Sequence, residues 1–184
     1  FLRAGLLDCA EASLNRVGEG KYAIPAKESL LEMYQVEHDW KKAIIAATEL
    51  EGLQGKSHQI EIAQFHCELG RDALRRKDLV SAEQSIARAL QAVPNHARAL
   101  ILQGDYLMAV ERPVQAIDAW NLVANSHPAY MHLLADRWML AHAALGKEDE
   151  GLDRLCELLK TQASGELLDI VHKQVMKIRG PQVA

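Results

Sequence analysis

The stretch LGRDALRRKDLVSAEQSIARALQAVP at 69–94 is followed by QGDYLMAVERPVQAIDAWNLVANSHP at 103–128, and the second reads as a shifted copy of the first. Gly70, Ala82, Ala89 and Pro94 recur as Gly104, Ala116, Val123 and Pro128, each displaced by 34 residues, while Leu69 becomes Gln103. Apolar residues between these marks fall at helical spacing, so each copy reads as helix, turn, helix. Gly70 and Gly104 let the two helices of a copy approach. Ala82 and Ala116 face them from the second helix, with Ile86 and Trp120 supplying bulk one turn later. Pro94 and Pro128 end one copy and open the next, because proline cannot continue a helix but suits a first helical turn.

A helical hairpin repeated at this period resembles the tetratricopeptide (TPR) family. One hairpin cannot bury its apolar face alone, so copies must stack into a continuous core. Weaker copies extend outward. Leu30, Tyr34, Ala43, Ala47 and Leu50 mark one, with Asp39 as N-cap of its second helix. Ala43 and Ala82 are 39 residues apart, which predicts a lengthened first helix through Gln59, Ile62, Phe65 and Leu69. Downstream, Leu134 to Gly146 reads as a first helix and Leu152 to Leu159 as its partner. A last helix follows Ser164 as cap. AGLLDCAEASLNRV at 4–17 reads as a second helix whose first is reduced to Phe1–Arg3, and Gly180-Pro181 as a turn into a helix not completed. The expected fold is all-α, a right-handed superhelical TPR solenoid of about ten antiparallel helices. It forms a single array over 1–184, divided into 1–23 (partial), 24–62, 63–96, 97–130, 131–164 and 165–184 (partial). Half-repeats at both ends imply a fragment of a longer chain, and their uncovered apolar faces lead us to expect homo-oligomers.

The 184 residues carry a formal net charge of -4, are 49% hydrophobic and only 5% aromatic. This is enough apolar content for a core and no footprint for nucleic acid. No apolar run approaches the roughly 18 residues of a membrane span, so no direct insertion by this stretch is expected. Cys9, Cys67 and Cys156 form no Cys-x-x-Cys pair and an odd number of thiols suits no disulfide framework.

Catalytic patterns are absent. Gly55-Lys56-Ser57 mimics the end of a phosphate loop, but Leu50 stands where its glycine belongs. The eight histidines include no His-x-x-x-His pair, and His66 beside Cys67 would point away from it on a helix. There is no Gly-x-Ser-x-Gly elbow. Glu148, Asp149 and Glu150 suit a helix start, and Met108, Met131, Trp138 and Met139 suit packing. A binding protein, not an enzyme, is the expectation, with no metal ligands and no cofactor.

The TPR resemblance implies that first helices line a concave groove. Transferred position by position, the groove residues are Glu28, Glu32 and Gln35, then Gln64, Cys67, Arg71 and Arg75, then Arg98, Asp105 and Met108, then His132, Met139 and His142. TPR clamps for a terminal carboxylate use Lys and Asn at places held here by Cys67 and Arg71, or by Ile101 and Asp105, which disfavours that activity. Arg71 and Arg75 are the expected anchors, unless they merely solvate a face beside Glu68 and Asp72.

LLEMYQ at 30–35, DWKKAI at 39–44 and IEIAQFHCELG at 60–70, together with AGLLDCAEASLNRV, resemble the lipopolysaccharide assembly protein B (LapB/YciM) family of Gram-negative bacteria. The resemblance implies a protein anchored in the inner membrane by an N-terminal helix, with its TPR array on the cytoplasmic side. It also implies a C-terminal rubredoxin-like metal domain, which like the anchor would lie outside this stretch. The implied role is to promote degradation of LpxC, the deacetylase of the committed step to lipid A, by the membrane protease FtsH. A TPR scaffold in another envelope or pilus assembly process is the alternative.

Overall fold

Four helical hairpins among the described residues each turn on one left-handed residue. The computed structural model describes residues 7–17, 20–161 and 164–180, so Phe1–Arg3 and Pro181 lie outside the described residues. It forms two compact units, 1–94 and 95–184. The first holds α1 (Leu7–Val17), α2 (Ala23–Val36), α3 (Trp40–Gln54), α4 (Gln59–Arg75) and α5 (Leu79–Ala92). The second holds α6 (Ala97–Ala109), α7 (Pro113–Ser126), α8 (Ala135–Ala144), α9 (Glu148–Thr161) and α10 (Gly165–Ile178).

Within the hairpins α2–α3, α4–α5, α6–α7 and α8–α9, the chain reverses through His38 (φ 58°), Lys77 (φ 59°), Glu111 (φ 59°) and Gly146 (φ 66°). The next amide reaches back to the preceding helix each time: Asp39 N–H donates to the Tyr34 carbonyl at 2.9 Å, Asp78 to Ala73 at 2.9 Å, Arg112 to Leu107 at 2.8 Å and Lys147 to His142 at 2.9 Å. This closes the orphan carbonyls at the helix end in the manner of a Schellman turn. Asp39 and Asp78 then cap the following helix, accepting from Lys42 N–H at 3.2 Å and Ser81 N–H at 3.1 Å. Arg112 gives no such cap, and Pro113 at the helix start replaces it. Ser164 caps α10 as the sequence implied, accepting from Leu167 N–H at 3.1 Å.

The recurring small residues sit where the paired helices cross. Ala43, Ala47, Ala82, Ala89, Ala116 and Val123 are all fully buried. The residue across from each glycine is the bulky one and not the alanine. A Cβ on Gly70 would lie 3.2 Å from Ile86 Cγ1, and one on Gly104 would lie 2.0 Å from Trp120 Nε1. The indole rests on the α6 backbone and donates Nε1–H to the Ile101 carbonyl at 3.1 Å. A side chain at Gly104 would abolish that contact. The α8–α9 hairpin inverts the device: Gly151 on the second helix receives His142 from the first, whose Cγ would be 2.6 Å from an added Cβ.

Other details depart from the sequence reading. Pro128 opens a 3-10 stretch, Pro128–Leu133, and not the next α-helix, which begins at Ala135. The long first helix over 59–75 is present, so the division at 62/63 falls inside α4. The first unit's core is built from Leu30, Tyr34, Ala43, Leu50, Ile62 and Phe65, with Leu14 of α1 and Trp40 packed against it.

Two stability predictions follow from this geometry. Gly104→Ala should cost about 1–3 kcal/mol or more by overpacking, and Gly151→Ala should also destabilise. Gly70→Ala should stay within about 1 kcal/mol of the parent, because the flexible Ile86 tip can yield and alanine favours the helix. Denaturant midpoints give the order. Separately, Lys77→Gly or Glu111→Gly should stabilise by up to about 1 kcal/mol, since left-handed strain on a residue with a Cβ, about 1–2 kcal/mol, outweighs the backbone entropy of glycine.

Candidate functional site

The end of α2, the start of α3 and one face of α4 meet around an open cleft of about 300 Å³ in the first unit. Gln35 comes from α2 and Trp40 from α3, while Glu61, Gln64, Phe65 and Glu68 come from α4. Spacings of three, one and three residues place those four on a single helix face. Trp40 stacks on Phe65 with centroids 5.9 Å apart and planes inclined by 17°. His38, the left-handed turn residue, also packs against Trp40, with ring centroids 5.0 Å apart and planes inclined by 57°. The turn that closes the hairpin therefore also sets the position of the indole. Glu68 is buried and ion-paired to Arg71 one turn along the same helix. Glu61 is half-exposed, with His58 Nδ1 3.6 Å from its carboxylate. Aromatic faces beside carboxylates and amide oxygens are suited to a cationic side chain, through cation–π and charge-assisted hydrogen bonding.

The structure brings Gln35 and Gln64 together, as a shared groove requires. Other expected groove residues have different roles. Glu28 accepts from Gln54 Nε2 at 2.8 Å, and Glu32 is exposed. Arg71 and Arg75 pair within α4, with Glu68 and with Asp72 (3.6 Å), so the solvating-face reading fits them better than that of anchors. Cys67 is buried, because its place on α4 faces the hairpin core, and it offers no contact surface.

In the second unit Arg98, Asp105 and Met108 are half-buried along α6. Asp105 is held by Arg137 at 2.5 Å, and Arg137 also donates to the Leu133 carbonyl. His132 bridges the Ala129 carbonyl at 2.7 Å and Glu166 at 3.3 Å. Met139 and His142 are buried, Met139 at the wall of an open cleft that it shares with Asp136, Glu148 and Gln174. His142 fills the space Gly151 leaves and lies 5.1 Å from Trp138. Trp40, Glu61, Phe65 and Glu68 were missed as site residues. The signal for the last three was the i±3/i±4 neighbourhood of Gln64.

Among the described residues no cluster of His, Cys, Asp and Glu could hold a metal ion, and no helix is long and apolar enough to cross a membrane.

No family model matches the chain. Curated relatives named lipopolysaccharide assembly protein B do align with it. That of Escherichia coli strain K12 is 29% identical over 177 residues, which are 94% of this chain and 46% of the relative. That of Haemophilus influenzae is 30% identical over 131 residues, 71% of this chain and 33% of the relative. The resemblance read from LLEMYQ, DWKKAI and IEIAQFHCELG is thus borne out by curated relatives of that name, of whose length in Escherichia coli the chain spans about half. Among solved structures, MamA of AMB-1 superposes with a TM-score of 0.52 at 16% identity, covering 91% of this chain and 90% of that one. A second MamA crystal structure gives 0.50 at 12% identity, covering 90% and 98%. These likenesses concern the fold, which is the all-α TPR type that the 34-residue period implied.

Burial pushes the Asp105 carboxyl above the ordinary aspartate range, with Arg137 pulling the other way. An acid whose pKa is raised by folding contributes stability at pH below its unfolded value, near 3.9, and loses that contribution as pH rises through the folded value. Asp105→Asn, which cannot ionise, should therefore gain on the parent as pH is raised from about 3 toward neutrality. Arg137 remains half-exposed and solvated in the variant. Melting temperatures of both proteins across that range would check this, and a variant-minus-parent difference that falls as pH rises would contradict it.

Proposed function

We propose, from the kinship with lipopolysaccharide assembly protein B, that this chain is a non-catalytic TPR adaptor in lipopolysaccharide assembly, and that a basic segment of its partner docks in the acidic, aromatic cleft of the first unit. One observation carries this reading. The three strings that resemble the LapB family supply every residue of the cleft: LLEMYQ gives Gln35, DWKKAI gives Trp40, and IEIAQFHCELG gives Glu61, Gln64, Phe65 and Glu68.

The finer reading follows the family. The adaptor acts on the cytoplasmic side of the inner membrane and promotes degradation of the deacetylase LpxC by the protease FtsH. It contributes a docking surface and performs no chemistry. The cleft carries carboxylates and aromatic rings and no nucleophile with an adjacent base.

The test is complementation of an Escherichia coli strain lacking its own lipopolysaccharide assembly protein B with the full-length protein. The parent should restore a low deacetylase level. Glu61→Lys with Gln64→Lys replaces one acidic and one neutral side chain of the cleft with cations, and should leave the deacetylase elevated several-fold with an unchanged melting temperature. A low level in the double variant would remove the cleft from the mechanism. Failure of the parent to lower the level would remove the deacetylase reading itself.

A further inference from the structure

A different face of α4 borders a second cavity of about 410 Å³, shared with α3 and α5 and chemically opposite to the cleft. No Asp or Glu lines it. Lys41 enters from α3, Arg76 from the end of α4 and Arg88 from α5. All three are exposed, and among the described residues none lies within salt-bridge distance of a carboxylate. Asp78, two residues from Arg76, has its own oxygen committed to the Ser81 amide at the α5 cap.

The wall contributed by α5 carries Ser81, Gln84, Ser85 and Arg88 at i, i+3, i+4 and i+7, of which Ser81 is engaged with Asp78 and the other three face the cavity as donors. Facing them from α4 is His66, which is 8% exposed and whose Nδ1 has no hydrogen-bond partner within the protein. A buried polar atom without a partner is costly and calls for a reason. The remaining wall, from α3 and α4, is apolar.

We propose that this cavity binds a phosphate monoester, with the phosphate among Lys41, Arg76 and Arg88 and the organic group on the apolar wall. Three cations with hydroxyl, amide and imidazole groups suit a dianion with three terminal oxygens better than a carboxylate with two. The site is independent of the acidic cleft, whose carboxylates would repel such a ligand. Burial and, secondarily, the Arg88 charge hold the His66 imidazole below its ordinary pKa. His66 faces Lys41 on α3, Arg88 on α5 and Arg76 on its own helix, all cationic. A bound dianion therefore relieves the repulsion at His66.

The experiment is calorimetric titration of the whole chain with glucose 6-phosphate. A parallel arm measures flotation with phosphatidylcholine vesicles with and without phosphatidic acid, and glutamate serves as the carboxylate control. Saturable binding of the sugar phosphate, weakened at least about tenfold in Lys41→Gln with Arg88→Gln at an unchanged melting temperature, supports a soluble ester. Binding confined to phosphatidic acid vesicles and lost in the same double variant supports a headgroup source for the same phosphate. The proposal is overturned if neither probe binds, if binding survives the double substitution, or if glutamate binds as tightly as the phosphate.

Discussion

Two helices can run side by side about 8–10 Å apart only if small side chains occupy their crossing. In the α2–α3, α4–α5 and α6–α7 hairpins that condition is met by buried alanines on the second helix, with Gly70 and Gly104 opposite Ile86 and Trp120, and in α8–α9 by Gly151 opposite His142. Trp120 shows the limit of the device. Its indole lies on α6 and hydrogen-bonds the Ile101 carbonyl because Gly104 has nothing in the way. The period of the sequence is the imprint of this spacing. The turns answer to it as well, since a left-handed residue at 38, 77, 111 and 146 is what returns the chain at so short a distance.

The candidate site depends on the same spacing. His38 is both the turn residue of the α2–α3 hairpin and a neighbour of Trp40, which in turn stacks on Phe65 of α4. A fold that repeats hairpins presents neighbouring helix faces at fixed intervals, and chemistry then varies by face. Here α4 alone presents carboxylates and amides on one face and borders a cationic cavity on another. Electrostatic separation on one helix thus gives two surfaces of opposite charge character.

The hairpins were legible because packing acts on residue size at a fixed period, and Gly70, Ala82 and their copies display it directly. The inverted glycine at 151 was not legible, since its reason is His142, nine residues earlier on the other helix, and no periodic rule links them. The turns at Lys77 and Glu111 hid because glycine is the usual mark of a left-handed residue and neither is one. For the site, a transferred list of groove positions identified Gln35 and Gln64 but could not tell which charges were already satisfied. Arg71 and Arg75 looked available in sequence, yet each has an acid three residues before it, and the structure pairs them there. Cys67 and His142 failed for a geometric reason, because small rotations of a helix about its axis decide whether a residue one step from the groove faces solvent or core.

The three tryptophans divide themselves between the two units. Trp40 belongs to the first and partly meets solvent at the cleft, whereas Trp120 and Trp138 are fully enclosed in the second. The protein thus carries its own optical labels. Ultraviolet emission from the first unit arises at a single indole resting on Phe65, while that of the second comes from two indoles in apolar surroundings. Quenching by a water-borne solute discriminates between them without any added dye. A red shift on denaturation belongs mainly to the second unit, and a change on adding a cationic peptide belongs to the first.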